Sequence, residues 1–109
     1  MTSSLPATFA ALGDATRFAI VERLLKHGEL PVGDFLDVGP LSAPAISRHL
    51  KVLRKAGIVE QRVMGPRRLY SVRPEAVQSI GAWSMSYRDF WQNSLDRLEL
   101  ALSQESGRQ

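Results

Sequence analysis

Apolar positions recur along this chain at two periods, and the change from one to the other marks its parts. Between Leu41 and Gly57, Ile46, Leu50 and Leu53 stand at i, i+4 and i+7 and form one helical stripe. Ser47, Arg48, Lys51, Arg54 and Lys55 fall largely off it, so one side of this helix is built to pack and another to meet something anionic. Its ends are marked as well: Ser42 suits an N-cap, Pro44 lies in the first turn where a missing N–H costs little, and Gly57 stands where helices stop. Upstream, Leu5, Phe9 and Leu12 share a side of a short helix over 5–12, which Gly13 breaks. Asp14 caps a second helix over 14–27 with a broad apolar face of Phe18, Ile20, Val21, Leu24 and Leu25, and Gly28 closes it. Pro31 to Leu36 holds a short helix at best, fastened by Phe35 and Leu36, before the turn signal Gly39-Pro40. A short helix, a tight turn and a basic-faced helix, spanning 31–57, make a helix-turn-helix.

After Gly57 the period drops to two. Ile58 to Met64 is β-rich, Gly65-Pro66-Arg67-Arg68 is a turn, and Leu69 to Val72 is a second short strand, so 58–73 reads as a β-hairpin with Arg62, Arg67 and Arg68 near its tip. A bare hairpin is not stable, so this one must pack on the helices. From Pro74 the helical period returns: Val77, Ile80, Ser84, Tyr87, Trp91, Leu95, Leu98 and Leu102 repeat in steps of three and four, widened by Trp83 and Phe90, and predict one long helix over 75–103. Such a helix spans roughly 40 Å, more than a domain this small can cover, so part of its stripe is expected to meet another subunit. Met1 to Ser4 is expected to fray and Gln104 to Gln109 to be disordered.

Composition sharpens this picture in two places. The chain has 109 residues, a length that leaves room for one domain (1–109), and a net charge of +3. The charge is concentrated: Arg48 to Arg73 holds eight Lys and Arg against the single acid Glu60, a local charge of +7, while the remainder is net acidic. A basic block in a neutral-to-acidic protein is the footprint expected for a polyanion partner. There is no cysteine, which removes disulfides and thiolate metal sites and fits a cytoplasmic location. No apolar run approaches the length of a membrane span and no secretion signal is apparent, so no membrane partner is expected.

The order helix, helix, short helix, basic helix, hairpin, long helix is that of a winged helix-turn-helix: mainly α with a small β-hairpin, about five helices, and a long C-terminal helix for dimerisation. In its residues the sequence resembles the ArsR-type bacterial transcriptional regulators from Leu5 to about Leu102. The resemblance is carried by Leu12-Gly13-Asp14-Ala15-Thr16-Arg17 with Ile20, by Ser47-Arg48-His49-Leu50-Lys51-Val52-Leu53 with Ala56-Gly57-Ile58-Val59, by Gly65-Pro66-Arg67-Arg68-Leu69-Tyr70, and by Trp83, Tyr87 and Trp91. Position 15 is Ala where the family usually has Pro, and Gly65-Pro66 is an unusual hairpin tip. The resemblance implies a homodimer that binds a palindromic operator in double-stranded DNA and represses transcription. By position, it implies that Ser42, Ala43, Pro44, Ser47, Arg48 and His49 face bases, with Lys51 and Arg54 nearer phosphates. Arg62, Arg67 and Arg68 join them from the wing. Arg48 is the best placed by chemistry for a bidentate contact to guanine. His49 has two readings, a hydrogen bonder between helices, which is favoured, and a base contact; Arg17 reads as a structural ion pair or as a phosphate contact. The expected dimer interface takes Leu5 and Phe9 from the first helix and Tyr87, Trp91, Leu95, Leu98 and Leu102 from the last.

Metal sensors of the resembled family use Cys pairs on the short helix or His, Asp and Glu sets on the last helix. The matching segment Pro31-Val32-Gly33-Asp34-Phe35 has no Cys and the last helix no His, so neither a metal site nor a cofactor is expected. No nucleophile motif or phosphate loop is present, so an enzyme is not expected. Two alternatives to a DNA-binding repressor stay open at this point: a winged-helix protein-interaction module, and a regulator gated by a small molecule held near Trp83, Tyr87 and Trp91. The effector, if one exists, is unknown from sequence.

Overall fold

The computed structural model describes residues 5–39 and 41–106. Among these lie five α-helices, a 3₁₀ turn and three strands, with 1–79 and 80–109 forming two compact units. The helix α1 (Leu5–Leu12) and the helix α2 (Ala15–His27) keep the ends that Gly13, Asp14 and Gly28 set. An Asp14 carboxylate oxygen accepts the Arg17 backbone N–H at 3.0 Å, the N-cap bond that satisfies an orphan donor. Gly28 has φ 80°, a conformation open to glycine, and donates its N–H to the Leu24 carbonyl at 2.8 Å.

The short-helix expectation for 31–36 needs correcting. The segment enters through a strand, β1 (Leu30–Pro31), and only Val32–Phe35 forms a 3₁₀ turn. β1 pairs antiparallel with β3 (Arg67–Val72), which also pairs with β2 (Val59–Met64), so the hairpin is part of a three-stranded sheet in the order β1-β3-β2. Two residues carry too little period to announce a strand, and Pro31 argues against one; it is tolerated because this is a sheet edge. The hairpin loop is Gly65-Pro66, with Met64 opposite Arg67 and Gly65 at φ 61°. A positive φ at the first loop residue and the fixed negative φ of proline at the second is the combination used by a type II′ turn, so the unusual tip suits the hairpin.

The core of the first unit gathers Ile20, Val21 and Leu24 of α2, Phe35, and Ile46, Leu50 and Leu53 of the helix α3 (Ala43–Lys55), closed by Ile58, Val59, Tyr70 and Ala76. Not every apolar residue assigned to packing joins it: Phe18, Leu25 and Leu36 are exposed.

The single long helix expected over 75–103 is instead two, α4 (Pro74–Met85) and α5 (Arg88–Ser106). The Ser86 hydroxyl donates to the Trp83 carbonyl at 2.6 Å, and the Tyr87 N–H reaches the Ser84 carbonyl at 3.2 Å. These three-residue bonds compete with the helical ladder and end α4. The Tyr87 carbonyl then accepts the Trp91 N–H at 3.1 Å and starts α5. Helix continues through Gln104, Glu105 and Ser106, which had been expected in a disordered tail. The expectations for Met1 to Ser4, Pro40 and Gly107 to Gln109 lie outside the described residues.

Candidate nucleic-acid interface

The helix α3 is fixed by its apolar side. Ile46, Leu50 and Leu53 have no exposed surface, which sets the rotation of the helix about its axis. The Ser42 hydroxyl accepts the Ala45 N–H at 3.4 Å, and the C-terminal carbonyls of Val52, Leu53 and Arg54 are taken by the N–H groups of Ala56, Ile58 and Gly57, each at 3.0 Å. Rotation and ends being fixed, the other side is presented as a rigid surface. Ser42, Ala43, Pro44, Ser47, Arg48, Lys51, Arg54 and Lys55 are all exposed on it. Every expected α3 contact except His49 is therefore open to solvent.

His49 is half-buried, with its Nδ1 3.5 Å from a terminal nitrogen of Arg17. The Arg17 Nε donates to the Ala11 carbonyl at 2.6 Å, so one guanidinium ties the end of α1 and the start of α2 to α3. His49 thus stands beside Arg17, between α2 and α3. The Asp14 carboxyl is held below its ordinary range chiefly by the Arg17 backbone N–H, which outweighs the opposing desolvation, with smaller help from the nearby Arg17 charge.

In the wing, Arg67 and Arg68 are exposed at the start of β3, beside the Gly65-Pro66 loop. Arg62 differs from them: its Nε and a terminal nitrogen donate to the two carboxylate oxygens of Glu29 at 3.0 and 2.7 Å. This fork-to-fork pair fastens β2 to the segment ahead of β1 and keeps the Glu29 carboxyl below its usual range while raising Arg62. Glu29 and Arg62 are 33 residues apart, and no period or motif links them. Arg23 likewise donates to the Asp34 carbonyl at 2.9 Å and pairs with Asp37, holding α2 to the 3₁₀ turn and the segment after it.

The expected dimer residues are placed in both units. Leu5 is half-buried and Phe9 exposed on α1; Tyr87, Trp91, Leu95, Leu98 and Leu102 are each more than half exposed. Among the described residues no group of three or more His, Cys, Asp or Glu could hold a metal ion, and no helix is long and apolar enough to cross a membrane.

Comparison with known proteins places this arrangement. Residues 12–62 match the helix-turn-helix domain family. Over 70 residues the chain is 49% identical to the HTH-type transcriptional regulator Rv2034 of Mycobacterium tuberculosis, a match covering 64% of this chain and 64% of that protein, just under two thirds. Over 98 residues it is 38% identical to the arsenic resistance transcriptional regulator ArsR1 of Pseudomonas putida, covering 88% of this chain and 77% of that one. The chain belongs to the ArsR family. A crystal structure of another ArsR family transcriptional regulator, 25% identical, superposes with a TM-score of 0.70 over 81% of this chain and 90% of that one. This ArsR-family chain is thus a DNA-binding transcriptional regulator with a winged helix-turn-helix fold, and its family's members are not enzymes.

Proposed function

We propose that this ArsR-type regulator is a homodimeric repressor that grips a palindromic operator with two copies of α3 and the wing. The observation that carries the reading is the two-sidedness of α3, fully buried at Ile46, Leu50 and Leu53 and exposed from Ser42 to Lys55 on the opposite side. Ser42, Ala43, Pro44, Ser47 and Arg48 at the helix start meet base edges, as in helix-turn-helix docking, and Arg48 pairs bidentately with a guanine. Lys51, Arg54, Arg67 and Arg68 meet phosphates, and Arg62 joins them only when it leaves Glu29. Dimerisation through α1 and α5 covers the apolar stripe of Tyr87, Trp91, Leu95, Leu98 and Leu102, each of them more than half exposed, and an exposed apolar stripe marks an interaction surface. A two-fold axis then sets the two α3 helices one DNA turn apart, roughly 34 Å, and the seated dimer represses by occupying DNA that transcription needs. No metal takes part. The test is a titration of the protein with DNA from upstream of its own gene against random duplex. Saturable preference for the upstream DNA, with affinity falling about a thousandfold from 50 to 200 mM salt, is expected for six or more phosphates neutralised. Equal, weak binding to both duplexes overturns it.

A second reading, gating by an apolar small molecule, has one observation in its favour. Trp83, Ser84, Tyr87, Phe90 and Trp91 line an open apolar groove of about 270 Å³, with Trp83 edge-on to Tyr87 at 5.7 Å and Phe90 edge-on to Trp91 at 5.8 Å. Release of DNA accompanied by a tryptophan fluorescence change on adding a planar aromatic compound supports it; no change in either removes it.

A further inference from the structure

Arg17 has two readings in the sequence, an ion pair within the protein and a contact to phosphate, and the structure turns its donors inward. The residue is half-buried on the first turn of α2. Its Nε donates to the Ala11 carbonyl at 2.6 Å, and Ala11 is itself part of the core. A terminal nitrogen of the same guanidinium lies 3.5 Å from the His49 Nδ1, which accepts when the ring carries its proton on Nε2. Ala7, Ala10 and Ala11 of α1 and Val52 and Ala56 of α3 line a shallow groove together with Arg17. Side chains this small leave room for a guanidinium beside both helices. On α3, His49 directly follows Arg48, the residue whose chemistry suits a bidentate contact to guanine. The burial of Ile46, Leu50 and Leu53 decides which side of α3 faces outward, but apolar packing has no preferred direction, whereas a hydrogen bond fixes a position. A recognition contact must be held within about 0.5 Å and 10–20° of its productive geometry. A tether on the residue next to the base reader acts directly on that tolerance.

We propose that Arg17 is a positioning residue for base reading: by holding His49 from the junction of α1 and α2, it sets the place of Arg48 against the bases and touches no DNA itself. The proposal rests on the reading of Arg48 as a base contact. Three variants of the full chain and one double variant test it, each checked by circular dichroism. Arg17→Gln keeps an amide nitrogen where Nε stands and lacks the terminal nitrogen that reaches His49. His49→Leu removes the acceptor, and His49→Asn restores one at the place of Nδ1. Affinity for operator and for random duplex is measured over a range of salt. Arg17→Gln and His49→Leu should each lose about tenfold of the preference for operator, and the double variant no more than either alone. His49→Asn should keep the native preference, and every salt slope should stay native, because no phosphate contact is removed. In addition, long-range proton–nitrogen NMR at mildly alkaline pH reads which ring nitrogen of His49 carries the proton, with His27, the other histidine, as reference. The native chain should hold it on Nε2, and Arg17→Gln should shift the ring toward a mixture of tautomers. A salt slope smaller by about one per protomer in Arg17→Gln, with both duplexes weakened alike, makes Arg17 a phosphate contact and overturns the proposal. Additive losses in the double variant, or a native His49 proton on Nδ1, overturn it as well. The NMR result needs neither DNA nor a variant, so it decides the contact even where a substitution unfolds the chain. A native chain that prefers its operator, beside variants whose preference is unaltered, sinks this inference alone and leaves the DNA-binding reading standing.

Discussion

Helices α3 and α5 carry apolar stripes of similar spacing and meet opposite fates. In α3, Ile46, Leu50 and Leu53 are sealed against α2, the 3₁₀ turn and β2. In α5, Trp91, Leu95, Leu98 and Leu102 are more than half exposed, and Leu100 widens the apolar surface beyond the stripe. A stripe therefore states that a helix needs a covering surface and is silent on where that surface comes from. For α3 the cover is supplied by residues as distant in sequence as Ile20 and Ile58. For α5 the proposed cover is a second copy of the chain.

The sharpest way to break this contrast is to truncate one residue from each stripe. Leu50→Ala should lower stability by about 2–5 kcal/mol, the usual cost of a core cavity, and by the same amount at every protein concentration in a denaturant titration. Leu95→Ala should instead lower the thermal midpoint more at low concentration than at high, as for a residue buried only by association. If both losses ignore concentration, α5 is covered by its own chain. Charge at the same site is the next largest effect. Leu95→Glu places two unpaired carboxylates in a symmetric interface, so sedimentation equilibrium should show monomers, and operator affinity should fall by about a hundredfold as the second half-site contact ceases to be intramolecular.

Smaller effects separate roles on the exposed side of α3 and the wing. Arg48→Ala should remove about 1–3 kcal/mol of discrimination between operator and random duplex. Arg67→Ala should weaken both duplexes alike and reduce the salt slope by about one. Matching losses in the two variants would mean that the helix reads no bases. The smallest effect is at Glu29. Its carboxyl is held below its ordinary 4.5 by Arg62, so the pair contributes stability that is complete above that value and fades as pH falls through the lower folded value. Acid titration of the thermal midpoint should therefore show a steeper fall for the native chain than for Glu29→Gln. At neutral pH the same variant frees Arg62 and should steepen the salt dependence of DNA binding.

Much of the fold was legible because its signals are local. Asp14, Ser42 and Gly28 mark helix ends through side-chain chemistry or backbone freedom that acts within one turn, and all three mark real ends. The basic side of α3 was equally legible, since helical period alone separates Arg48 and Lys51 from Leu50 and Leu53. What stayed hidden depends on pairs that are distant in sequence. Leu30 and Pro31 are a strand only because Tyr70 and Leu69 lie beside them, and Arg62 is held only because Glu29 is folded onto β2. The break at Ser86 was missed for another reason: a serine that bonds back to Trp83 leaves the apolar period almost undisturbed. Gly81, Ser84 and Ser86, poor helix formers close together, were the signal available.

The strand order β1-β3-β2 has a consequence for the chain beyond its own fold. β3 is paired on both sides, so the open edges of the sheet belong to β1 and β2. One edge is two residues long and includes Pro31, which has no N–H to offer. The other carries the exposed charges of Glu60 and Arg62. Short, proline-bearing or charged edges are poor templates for a foreign strand. Should the C-terminal helices come loose, the sheet that remains thus offers its neighbours little to extend into cross-β aggregates.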